Sequence, residues 1–81
     1  MTDAEILSSF TDILRDLLGD DSIVLTLSTE RADVPNWDSF GYVNFIVAAE
    51  TALNVRFRVA DVESFQTIGE IVAAVQKQRG G

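Results

Sequence analysis

Ile6, Leu7, Phe10, Ile13, Leu14 and Leu17 repeat at the i, i+3, i+4, i+7 spacing of one α-helical face, so the chain must fold with an amphipathic helix laid over a core. The spacing predicts a helix over residues 3–18. Thr2, three residues before Glu5, makes a capping box, and Gly19 is the residue type that closes a helix in the left-handed region. Tyr42, Val43, Ile46, Val47, Ala49 and Leu53 mark a second helix over 39–53. Pro35 bars the helical region to the residue before it, Asp38 is a good N-cap, and Asn54 closes that helix. Ile68, Ile71, Val72 and Val75 mark a last helix over 68–78, entered through a second capping box of Thr67 and Glu70. Phe57, Val59, Val62 and Phe65 punctuate a stretch that holds a short helix at 61–65.

Residues 19–38 have the composition of turns, with Ile23, Leu25 and Leu27 alternating among them. A lone strand has no partner elsewhere in the sequence. The segment is therefore expected to be a long ordered loop whose apolar residues plug the side of a bundle. The expected fold is all-α, three long helices and one short, in a single domain over 1–81, since 81 residues suffice for one core and not two.

Composition narrows the function. The chain has no Cys, which removes disulfides, thiolate metal sites and a cysteine nucleophile, and no His, the commonest general base and metal ligand. A non-enzymatic role is expected. The net charge of −7 is uneven: residues 1–50 carry ten acids and two bases, residues 51–81 three acids and four bases. Such a field repels nucleic acids and anionic lipid surfaces and favours proteins that present Lys and Arg. No apolar run approaches a membrane span, and Met1 to Glu5 is acidic where a signal peptide is basic, so a cytoplasmic monomer is expected.

One constellation bears chemistry. Asn36-Trp37-Asp38-Ser39-Phe40 puts a serine hydroxyl in the first turn of a helix, directly after a long loop. Unpaired N–H groups and the positive end of the helix dipole favour a phosphodiester on Ser39 by roughly 0.3–1 kcal/mol. Asp38 can cap the helix and stay exposed enough to help hold a divalent cation while a transferase delivers the group. An Asp-Ser-apolar step opening the second helix of an acidic chain of this length resembles the acyl carrier protein family, and the likeness runs from helix one through Asp38-Ser39-Phe40 and the Val43/Ile46/Val47 face to Thr67-Ile68. The resemblance implies a four-helix bundle with 4'-phosphopantetheine on Ser39. It also implies that Asp38 assists the phosphopantetheinyl transferase and its magnesium ion. Coenzyme A would supply the arm, and acyl-loading and acyl-modifying enzymes of fatty-acid-like or specialised metabolism would be the partners.

The chain departs from the family pattern in three places. Phe40 stands where leucine is usual, Trp37 where a small or apolar residue precedes the aspartate, and both are expected to conserve burial. Helix two carries Glu50 as its single acid, with none at Gly41, Asn44 or Thr51, where family members meet basic partners. With Arg56 and Arg58, this resembles a dedicated carrier of a specialised pathway, whose partner-facing residues are Phe40, Glu50, Arg56 and Arg58. Two other readings remain: a docking adaptor of the same fold that is never modified, and a ubiquitin-like sulfur carrier or modifier using Gly80-Gly81. The second requires a β-grasp fold.

Overall fold

A computed structural model describes residues 1–79; Gly80 and Gly81, on which the modifier reading rests, lie outside the described residues. The chain forms four helices, α1 (Asp3–Leu18), α2 (Ser39–Leu53), α3 (Val59–Ser64) and α4 (Ile68–Gln78), with one 3-10 turn at Arg31–Asp33 in the long loop. No strand occurs among the described residues, only an isolated bridge between Glu30 and Thr67. The all-α expectation holds, and a β-grasp is excluded.

Capping explains why α1 starts and stops where it does. Thr2 Oγ1 accepts from Glu5 N at 3.1 Å while Thr2 N donates to Glu5 Oε1 at 2.8 Å, and Gly19 ends the helix at φ 63°. Asn54 ends α2 in the same left-handed region at φ 54°. The start of α4 is a different case. Thr67 accepts from Glu70 N, but the Glu70 carboxylate reaches Gln66 N and the Thr67 hydroxyl, each at 3.3 Å, instead of Thr67 N. The loop does the remaining capping: Ile68 N donates to Thr29 O at 2.9 Å and Gly69 N to Leu27 O at 2.7 Å. A Cβ on Gly69 would stand 2.6 Å from Leu27 O, so this approach requires glycine.

The core is Ile6, Phe10 and Leu14 of α1, Phe45, Ile46, Ala49 and Leu53 of α2, and Ile68, Ile71, Val72 and Val75 of α4, closed from the side by loop residues Ile23, Leu25, Val34 and Trp37. Leu27 and Leu17, counted among the plugging and core residues above, are instead largely exposed. A larger correction concerns α2. Val43 and Val47 are 55% exposed, and Phe45 takes the buried place. This helix is apolar nearly all round, so spacing alone did not choose its inner face; the rings decide it, because Phe45 packs edge-on against Phe10 at 5.2 Å and Trp37 at 5.3 Å. The short helix spans Val59–Ser64 rather than 61–65. Arg58 O accepts from both Asp61 N and Val62 N, which starts the turn earlier, and Phe65 is extended at ψ 129°, leaving the helix to set its ring against Phe57 at 5.7 Å.

Candidate functional site

A tight turn delivers the chain into α2. Pro35 and Asn36 are its central residues, Asn36 adopts φ 68°, and Trp37 N donates to Val34 O at 3.3 Å. Proline followed by a left-handed asparagine is the pattern of a type II turn. The turn sends Trp37 inward, where it is 6% exposed against Phe45 and Tyr42, and leaves Asp38 and Ser39 outside. Trp37 thus keeps the burial expected of it.

Asp38 caps α2, its Oδ1 accepting from Gly41 N at 2.8 Å and its backbone carbonyl from Tyr42 N at 2.9 Å. The N–H groups of Ser39 and Phe40, the first two of the helix, have no intrahelical partner and lie at the positive end of the dipole. Ser39 is exposed and sits at the rim of a cleft of about 720 Å³. The cleft lies between the loop at Thr29–Ala32, the first turns of α2, and Val62, Phe65, Ile68 and Ile71 of the α3–α4 side. Tyr42 braces it. The Tyr42 hydroxyl donates to Val62 O at 2.7 Å and ties α3 to α2, while the Arg31 guanidinium lies over the Tyr42 ring, 5.5 Å from its centre. Burial pushes the Tyr42 phenol above its ordinary value, against the opposing pull of Arg31.

The other expected residues separate. Phe40 is 78% exposed, so the expectation that it conserves burial fails: the first residue after Ser39 points along the outer side of α2, beyond the cover of the loop. Glu50 lies eleven residues beyond Ser39 along the same helix, about 16 Å away at 1.5 Å per residue. It is half-buried, and its Oε2 accepts from Phe57 N at 2.8 Å, so it fastens the α2–α3 connection. Arg56 is exposed, its backbone held at both N and O by the Gln78 side chain, and Arg58 is exposed and pairs with Asp61 at 3.3 Å. Among the described residues no three His, Cys, Asp or Glu come together as a metal site, so a cation at Asp38 would need ligands from elsewhere. The reading from sequence passed over the cleft, together with Arg31 and Tyr42 on its walls. Pro35-Asn36 was its one legible trace, since that dipeptide specifies the turn that buries Trp37.

Ser39 is thus an exposed, capped serine on a small helical domain, at the rim of a cleft whose walls are both apolar and charged. No protein-family profile matches the chain. The acyl carrier protein of Thermotoga maritima is 30% identical over 76 residues, which cover 94% of each chain. The solution NMR structure of holo acyl carrier protein from Geobacter metallireducens superposes with a TM-score of 0.82 at 32% identity, over 91% of this chain and 85% of that one. The chain belongs to the acyl carrier protein family. Members of that family are carriers without catalytic activity, and this protein is a carrier, not an enzyme. No helix among the described residues is long and apolar enough to cross a membrane.

Proposed function

We propose that Ser39 bears a 4'-phosphopantetheine arm and that the protein presents acyl thioesters on it to enzymes of a specialised pathway. The observation that carries this reading is the placement of Ser39: first residue of α2, exposed, capped by the neighbouring Asp38, and at the rim of a cleft. The residues fit the group. Free N–H groups of the first turn and the helix dipole favour the phosphodiester by about 0.3–1 kcal/mol. Asp38 uses Oδ1 for the cap, and its Oδ2 has no hydrogen-bond partner among the described residues, so that oxygen can help hold the transferase's magnesium ion. When bound, the arm supplies a terminal thiol that holds the acyl group as a thioester; the protein supplies position, raising the local concentration of cargo at a docked partner.

The partner surface proposed is the outer side of α2. Phe40, Val43 and Val47, at i, i+3 and i+7, are exposed together, and Asn44 and Thr51 among them are uncharged. Docking on this side rests on apolar contact, with Arg56 and Arg58 at the far end meeting acidic residues. Glu50 leaves the partner set, because its carboxylate is held by Phe57 N. Incubation with coenzyme A, magnesium and a broad-specificity transferase, followed by peptide mapping, should place one arm on Ser39. A fragment with the arm elsewhere, or none after several unrelated transferases, contradicts the proposal and favours the unmodified adaptor.

A further inference from the structure

Among the first fifty residues ten acids stand against two bases, Arg15 and Arg31. Arg15 is engaged, its Nε donating to Ile23 O at 2.7 Å. Arg31 is not. Its side chain makes no hydrogen bond or ion pair among the described residues and lies instead over the Tyr42 ring, 5.5 Å from the ring centre. A cation held by a ring face keeps all five guanidinium N–H donors for another acceptor. Tyr42 places that cation beside the attachment point. It follows Ser39 by three residues, so the two side chains share one face of α2, with Cβ atoms about 5–6 Å apart. A helical side chain leans over the turn on its N-terminal side, which tilts the Tyr42 ring, and the guanidinium on it, toward Ser39. Ser39, Arg31 and Tyr42 accordingly border one cleft.

The other charges nearby oppose an anion. A phosphodiester on Ser39 adds a negative charge next to the exposed Asp38 carboxylate, with Glu30 and Glu63 on the same cleft. Resting on the proposed attachment at Ser39, we infer that Arg31 is a positioning residue for the arm, its guanidinium donating to a phosphodiester oxygen on Ser39. The contact involves only the first atoms of the arm, which the bond to Ser39 Oγ keeps at the head of α2 wherever the rest extends. It offsets the repulsion from the three carboxylates. A guanidinium fork also fixes the rotation of the phosphate about its bond to Ser39, and with it the direction in which the arm leaves the surface. Lysine would supply the charge without the fork.

The test follows the Arg31 Nε–Hε resonance of the ¹⁵N-labelled protein, unmodified and carrying the arm with a free thiol, both forms checked by intact mass. Unmodified Arg31→Lys, which lacks that one signal, identifies it. Attachment should move the Arg31 Hε downfield and slow its exchange about threefold, the scale of an exposed ion pair. The corresponding signals of Arg15, Arg56, Arg58 and Arg79 should stay where they are. Raising the salt from about 0.1 M to 1 M shortens the Debye length from about 10 to 3 Å and should cancel most of the change. In the modified protein Arg31→Gln should shift the single ³¹P resonance, and Arg31→Lys should restore part of that shift. If the masses show the arm in place and the Arg31 signal keeps its position and exchange rate at low salt, the inference is wrong and the attachment stands. A change that survives 1 M salt also overturns it, since that is a rearrangement of the loop and not an ion contact. If no arm attaches, it is the attachment that fails.

Discussion

Helices α1 and α2 face each other across the core, yet they are built on opposite plans. In α1 the apolar residues form one stripe, Ile6, Phe10 and Leu14 are buried, and Asp3, Glu5, Asp12 and Asp16 stay in water. In α2 apolar residues go all round: Phe45, Ile46, Ala49 and Leu53 face inward, while Phe40, Val43 and Val47 face solvent. Three large apolar side chains kept in water next to an exposed serine support the partner surface proposed above. The α1 side holds the fold together, and the α2 side, with the α3 turn that has no buried residue, is the side proposed above to meet other molecules.

The sharpest way to break this contrast is to truncate one ring on each side of α2. Phe45→Ala removes a fully buried ring and should cost about 3–5 kcal/mol, lowering the melting temperature by more than roughly 12 °C in a domain of this size. Phe40→Ala should stay within about 0.5 kcal/mol while weakening loading by the native partner enzyme. Equal melting temperatures would erase the distinction. Next comes Gly69→Ala, which drives a methyl into Leu27 O and should cost about 1–3 kcal/mol by overpacking, read by denaturant titration. Tyr42→Phe loses the bond to Val62 O and should cost about 0.5–1.5 kcal/mol, with faster amide exchange confined to α3.

The smallest effect is acidic fraying of α1. The Thr2 backbone N–H, and after it the Thr2 hydroxyl, hold the Glu5 carboxyl below its ordinary value of 4.5. A carboxyl lowered in the folded state stabilises it above the ordinary value, and that contribution disappears as pH falls through the lowered one. Amide exchange in residues 3–6 should therefore rise on acidification below the ordinary carboxylate range, and Glu5→Gln should remove that pH dependence.

A general malonyl transferase of fatty-acid synthesis offers a further test of α2. Its basic docking patch should load this carrier poorly, and Asn44→Glu with Thr51→Glu should improve loading, more at low salt. Gly41 is unsuited to that substitution, because a side chain there meets the Trp37 ring.

How much was legible in the sequence follows from the same contrast. The face of α1 could be read because its two sides differ in polarity, and Asp38-Ser39 because a cap and a hydroxyl at a helix start are local features. The inner face of α2 could not be read from periodicity: Val43 and Phe45 are both apolar, and only the rings of Phe10 and Trp37, distant in sequence, choose between them. The pinning of the loop on α4 through Leu27 O and Thr29 O was illegible for a related reason, since backbone carbonyls carry no sequence signature. The cleft is a product of those long-range choices and appears only when they are assembled.

The central claim is that the head of α2 exists to hold a group on Ser39, and intact mass of the wild type beside Ser39→Ala tests it most directly. After co-expression with a broad-specificity transferase, the wild type should gain the mass of one phosphopantetheine. Ser39→Ala should gain none while melting within a degree or two of the wild type, because Asp38 still caps the helix and an exposed hydroxyl contributes little. A Ser39→Ala protein that still acquires the arm, or a wild type that never does, would contradict the account.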